Sequence, residues 1–161
     1  MATLTPHLVH GALAGAAGTT ALNATTYLDM IARGRPSSST PHDTVKRIAE
    51  LIGVSSAGDE AKREARLSGM GALLGVAVGV GTGAVLGVAQ AGKWTRSPRA
   101  TLSAWVLATL AGNAPMIGLR VTDPRRWRAL DWAADVVPHA AYAVVVSLAL
   151  ERLDDRSHRK T

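Results

Sequence analysis

The feature that most constrains this chain is where its charges are missing. No Asp, Glu, Lys or Arg occurs from Met1 to Leu28, from Leu67 to Gly92, from Ala100 to Leu119 or from Val136 to Leu150, and the charges crowd into the gaps. A helix that folds in water keeps a polar face along its whole length, so charges recur every turn or two. A bilayer forbids that recurrence, because a charge at its centre costs about 2.5–3.5 kcal/mol even on a lenient insertion scale. Crossing the hydrocarbon takes roughly 20 residues. Three runs reach that length and the fourth falls slightly short. The mean hydropathy of +0.13 averages these runs with the charged gaps and so conceals them. The expectation is an all-α fold: an integral membrane four-helix bundle in a single domain of 161 residues, not a soluble Ala-rich bundle.

The spans are expected at about 10–31, 68–91, 101–119 and 132–150, the fourth helix beginning near Leu130, with a mobile charged tail over 151–161. A cleaved signal peptide needs a basic start, and Met1 to His10 holds no Lys or Arg, so the first run reads as a retained helix. It opens with Gly11, Ala14, Gly15 and Gly18, continues through Thr19, Thr20, Asn23, Thr25 and Thr26, and ends near Tyr27, an aromatic at headgroup level. Asn23-Ala24-Thr25 matches a glycosylation sequon, which is unreachable inside a span.

The first loop is long. Gly34 and Pro36 stop the first helix, and three serines follow. A short amphipathic helix is expected over 41–52. Thr40 is its N-cap, Pro41 its first residue, Asp43 completes a capping-box-like pattern, and Gly53 ends it. Val45, Ile48, Ala49 and Ile52 share one face, which fits a helix that lies on the membrane surface or caps the bundle. Ser55 and Ser56 then lead to the charged stretch Asp59–Arg66.

In the second span Gly71, Gly75, Gly79, Gly83 and Gly87 recur every fourth residue. Each Gly would cost a soluble helix about 1 kcal/mol against Ala. In lipid the helical backbone bonds form regardless, and small residues let a neighbouring helix approach until backbones touch. Four residues advance an ideal helix by about 400°, so the stripe drifts by roughly 40° per step and suits a neighbour that crosses at a right-handed angle. The reading is an intramolecular contact, with a homo-oligomer seam as the alternative. Leu74 and Leu86 are expected to point outward.

A short basic turn, with Lys93, Trp94, Arg96 and Arg99, joins the second span to the third, whose second half carries Asn113 and a kinking Pro115. The third loop, with Asp123, Arg125, Arg126, Trp127 and Arg128, has the composition of an interfacial belt. If the spans alternate, Asp29, Asn113, Asp135 and His139 all fall near one face of the membrane, with Arg33 and Arg120 close by. Asp135 and His139 are four apart and share a helix face. That patch is the candidate binding site. A carboxylate beside an imidazole suits a proton relay or a ligand pair, and equally a structural clasp between helices.

Several function classes are excluded. The chain has no cysteine, hence no disulfide, thiolate metal site or thiol chemistry. Two ligands are too few for a metal site, and no HExxH, Ser-His-Asp or phosphate-cradling pattern occurs. The expectation is therefore no catalysis, no cofactor and no metal. The formal charge of +6 reflects Arg and Lys flanking membrane helices, where anionic headgroups attract them, and does not call for a nucleic acid. The expected partners are the lipid bilayer and a second copy or another membrane protein.

Three stretches together carry a resemblance. They are Tyr27-Leu28-Asp29-Met30 through Arg33-Gly34-Arg35-Pro36 to Ser39-Thr40-Pro41, the glycine-rich second helix, and Val121-Thr122-Asp123-Pro124 through Asp131-Trp132-Ala133-Ala134-Asp135-Val136-Val137-Pro138-His139. The chain resembles a group of small actinobacterial four-helix membrane proteins with no known activity. More distantly, Gly118-Leu119 and the His-bearing start of the fourth helix are similar to the YagU-like inner-membrane proteins. The resemblance implies a multi-pass protein of the bacterial inner (cell) membrane and supplies no catalytic residue, substrate or cofactor. The expected function is a structural or accessory membrane protein acting through helix packing and partner or lipid contacts. The alternative is a small transporter or channel-like protein with its polar site near Asp29, Asn113, Asp135 and His139. Central polar residues are few, with Asn23 and Thr82 foremost and Gln90 near an end, which favours the first reading. The first and third loops together carry eleven Lys/Arg against seven elsewhere, so they are expected on the cytoplasmic side.

Overall fold

The computed structural model describes residues 4–53, 59–89 and 97–158, with side chains to 153. Ser55, Ser56, Gln90, Lys93, Trp94 and Arg96 lie outside the described residues. Every regular element among the described residues is helical, in the order α1 (Leu4–Arg33), α2 (Thr40–Leu51), α3 (Glu60–Ala89), α4 (Pro98–Gly118), a 3₁₀ turn (Pro124–Arg126) and α5 (Ala129–His158). The helices overrun the charge-free runs. Glu60–Arg66 is already helical, and α5 continues to His158, past Leu150 where the sequence places the end of the span.

Three helices, α3, α4 and α5 over Ala129–Leu153, are long and apolar enough to cross a membrane. By that measure α1 is not among them. Its thirty residues include the polar Thr19, Thr20, Asn23, Thr25 and Thr26. Three of those hydroxyls bond back one turn: Thr19 to the Gly15 carbonyl at 2.8 Å, Thr20 to Ala16 at 3.0 Å and Thr25 to Ala21 at 2.8 Å.

The helix ends follow local chemistry. Gly34, at φ +61°, turns the chain out of α1 while the Arg35 N–H donates to the Met30 carbonyl. At the end of α4 the same left-handed position is taken by Arg120, at φ +57°, with the Val121 N–H bonded to Met116. Ser97 caps α4 by accepting from the Ala100 N–H, with Pro98 in the first turn. The expected cap of α2 is corrected. Thr40 is already helical, the capping position belongs to Ser39 without a side-chain bond, and the Thr40 N–H donates to Ser38 Oγ. A helical backbone at Ser39 moves the start back one residue, so Asp43 turns to His42 instead of completing a capping box.

Each long helix packs on two others. The principal contacts run between α1 and α3, α1 and α5, and α4 and α5, with a lighter one between α3 and α4, and α2 lies across the start of α3. The α1–α3 seam is made by glycines from both sides. A Cβ placed on Gly15 would lie 2.7 Å from the Gly79 carbonyl oxygen and 3.0 Å from Val80 Cα, and one on Gly87 would lie 2.8 Å from Gly11 Cα. Gly71 serves a different partner: its Cβ would meet the Pro41–His42 backbone of α2 at 2.9 Å. Gly75 packs against nothing, for a Cβ there finds no atom within 4 Å. The roughly 40° drift per step explains this split, because α2 covers one end of the stripe, α1 the other, and Gly75 falls between them. Leu86 also departs from expectation. It is 4% exposed and belongs to the core with Ala14, Ala104, Ala108, Tyr142, Val146 and Leu150. Leu86 lies one residue before Gly87, and the core extends from the α1 seam round to α5, so positions beside the stripe are enclosed too.

Candidate functional site

The polar side chains of α4 and α5 meet near the α4–α5 turn. Asn113 Nδ2 donates to both carboxylate oxygens of Asp135, at 3.0 and 3.1 Å. One turn further along α5, His139 Nδ1 lies 2.8 Å from the Asp135 main-chain carbonyl and 3.5 Å from its carboxylate. Both acidic and imidazole side chains are 14% exposed. A carbonyl only accepts, so in this bond Nδ1 carries the proton. Nε2 faces Gly112, where a Cβ would stand 3.1 Å away; the glycine makes room for the ring. Among the described residues no Lys or Arg lies within 4 Å of Asp135, whose carboxyl is bonded by the Asn113 amide with the His139 ring 3.5 Å away.

Asp29 does not join this cluster. It is clasped by its own end of α1 and the following loop: Arg33 binds it at 2.5 Å and Arg35 Nε at 2.6 Å. The physical reason is proximity. Arg33 is one turn away and the Gly34 reversal swings Arg35 back over the helix end, so both cations reach Asp29 before any other helix does. Arg33 is near enough to Asp131 to interact electrostatically, which brings the end of α1 beside the start of α5. Asp131 itself accepts from the Arg128 N–H at 2.9 Å. The expected patch thus divides into an arginine-clasped rim and a cation-free inner cluster of Asn113, Asp135 and His139.

Other charged groups cement this end of the molecule. Asp123 receives Arg125 at 2.9 and 3.1 Å, and those hydrogen bonds hold its carboxyl below the ordinary carboxylate range. Trp127 donates to Thr122 Oγ1 at 2.9 Å and meets Trp132 edge to face at 5.0 Å between ring centres. His42 sits between two carboxylates, 3.0 Å from Asp43 and 2.8 Å from Glu64, and so ties α2 to α3. The His42 hydrogen bond draws the Asp43 carboxyl down in the same way.

Three contributors escape a reading of the sequence. Tyr142, fully buried, donates its hydroxyl to the Gly79 carbonyl at 2.6 Å across the molecule, and its ring fills the space that Gly18 leaves. Trp105 donates to the Val136 carbonyl at 3.4 Å, in the stretch of α5 loosened by Pro138. Gly112 shelters His139. The available signal was a lone tyrosine in the middle of a charge-free run, whose hydroxyl has to find a partner inside the protein.

Among the described residues, fold and site define an all-helical protein with three helices long and apolar enough to cross a membrane and, at one end, an Asn–Asp–His cluster without a Lys or Arg in contact. Comparison with protein families, curated proteins and solved structures finds no match to the chain.

Proposed function

We propose that this chain is an integral protein of the bacterial cell membrane with four spans, and that it works as a structural or accessory protein through helix packing and contacts with lipid or a membrane partner. One observation carries the reading: large apolar side chains cover the outside of the molecule. The interior combines Leu67, Leu86, Tyr142, Val146 and Leu150 with Gly, Ala, Thr19, Thr82 and Ser147, while Leu13, Leu28, Leu73, Val85, Leu102, Leu110, Val137 and Val144 face outward on all four long helices. In water each exposed Leu or Val would forgo about 1.5–3 kcal/mol of burial. In hydrocarbon that loss vanishes and close packing of small residues takes over. The same argument supports α1 as the fourth span. Its apolar side chains face outward like those of the other three, and the hydroxyls of Thr19, Thr20 and Thr25 already have acceptors within the helix. Contact through backbones at the α1–α3 seam, and Tyr142 bonded across the middle, favour a packed protein over a conduit. The bundle and its likeness to small four-helix membrane proteins are part of this proposal, as is the absence of enzymatic activity.

A second reading, a transporter or channel-like protein, is favoured by Asp135. It lies about 9 Å along α5 from Ala129, and His139 about 15 Å, which in a span reaches the hydrocarbon. A carboxylate there without a cation is costly and usually functional. Folded yield of Asp135→Asn and His139→Gln separates the two: loss of folding in both means a clasp between α4 and α5, and normal folding with a lost cellular phenotype means a working site.

Because the chain has no cysteine, single-cysteine labelling tests the four-span reading directly. Four spans put Thr5→Cys and Ser37→Cys on opposite faces of the membrane. Three spans, with α1 outside the bilayer, leave both on the same face and refute the proposal.

A further inference from the structure

A groove of about 670 Å³ runs along the outer side of the α4–α5 pair, and its two ends differ in chemistry. Its apolar length is walled by Leu102 and Trp105 of α4 and by Ala140, Ala143 and Val144 of α5. Ala140 and Ala143 leave the space that larger residues would fill, and Trp105, held by its bond to the Val136 carbonyl, presents a fixed ring to it. The other end is polar. Ser97 and Thr101 from the start of α4 and Glu151 of α5 line it there, and among the described residues none of the ion pairs involves Glu151. From Ala140 to Glu151 is eleven residues, or about 16 Å of helix. That is close to half of a hydrocarbon core of about 30 Å, the depth of one leaflet.

We propose that this groove binds one phospholipid acyl chain, with its head an ethanolamine phosphate whose ammonium group meets Glu151. The chain lies against Leu102, Trp105, Ala140 and Val144. The ammonium donates to the Glu151 carboxylate, and the phosphate sits beside the Ser97 and Thr101 hydroxyls at the capped start of α4, where the helix dipole favours an anion. A glycerol head offers Glu151 no cation, and its phosphate places a net negative charge near that carboxylate, so it binds less well. The volume suits a single chain-and-head ligand, within the usual range for small-molecule sites. The groove opens on the same apolar surface that the membrane reading assigns to lipid, and the inference rests on that reading. The two fail separately, because cysteine labelling tests the spans and lipid titration tests the groove.

The test uses the full chain in mild detergent, titrated with lysophosphatidylethanolamine and, separately, with lysophosphatidylglycerol, and followed by thermal unfolding. The expected result is a saturable rise in Tm with the ethanolamine lipid, at a concentration roughly threefold lower than with the glycerol lipid, as for a partly screened ion pair. Glu151→Gln removes that preference. Ala140→Trp, which fills the groove from an exposed position, removes the saturable rise, while Leu73→Trp on the outer face of α3 keeps it. Equal effects of both lipids on the unmutated protein, or an undiminished rise in a folded Ala140→Trp variant, overturn the proposal. Should Ala140→Trp fail to fold, native mass spectrometry of the unmutated protein in an equimolar mixture decides: one retained ethanolamine lipid supports the site, and indiscriminate retention of both overturns it.

Discussion

Substituting Gly83 by Ala tests the α1–α3 seam with the smallest available change. A Cβ at Gly83 would stand 2.6 Å from the Gly15 backbone nitrogen and closer still to Gly15 Cα and the Gly11 carbonyl oxygen. Carbon contacts settle at about 3.5–4.0 Å, so the two helices have to part by roughly 1 Å. The obstructing atoms are backbone on a second helix, which cannot rotate away as a side chain can. A gap of 0.5–1 Å already forfeits about a quarter to a half of each dispersion contact, and the parting is felt along the whole glycine seam. The expected loss is about 1–3 kcal/mol, the usual cost of forcing one methyl into a packed interior. Gly83→Leu should prevent assembly of the pair. Gly75→Ala is the control within the same repeat: its Cβ meets nothing within 4 Å, and Ala is the better helix former by up to about 1 kcal/mol. Unfolding of purified protein in mild detergent, compared across these three variants, measures the difference. Wild-type stability for Gly83→Ala, or an equal loss for Gly75→Ala, would refute the seam.

The remaining expectations concern the core, the inner cluster and one helix end. Leu86→Ala should cost about 2–5 kcal/mol because Leu86 is enclosed, whereas Leu73→Ala, on an outward face, should stay within roughly 0.5 kcal/mol; denaturant unfolding in detergent distinguishes them. Asn113→Leu deprives the Asp135 carboxylate of both amide hydrogen bonds and should lower stability by about 1.5–3 kcal/mol at neutral pH, an effect that Asp135→Leu in the same chain should largely relieve in a double-mutant cycle. Arg120→Gly should raise Tm, because a non-glycine residue in the left-handed region costs about 1–2 kcal/mol; a lower Tm would mean that the Arg120 side chain contributes more than its backbone strain removes.

The sequence by itself determined the elements. Charges absent over four runs announce long apolar helices, and Gly34, Pro36 and Gly53 mark where helices stop, because backbone sterics act locally. The pairing of Asn113 with Asp135 was also within reach, since two antiparallel helices joined by a short turn bring residues equally distant from that turn together. Partnership was not legible at longer range. Five glycines in one repeat look alike in sequence, yet Gly71 serves α2, Gly79, Gly83 and Gly87 serve α1, and Gly75 serves none. Only the crossing of α1 over α3 decides which position faces a neighbour. The same holds for Leu86, enclosed because α1 and α5 both reach it, and for Asp29, taken by Arg33 and Arg35 once Gly34 reverses the chain. Tyr142 makes the point most plainly: nothing within four residues of it requires a hydroxyl there, and its acceptor is a carbonyl on α3, 63 residues away, bared at a glycine and brought within 2.6 Å only by tertiary packing.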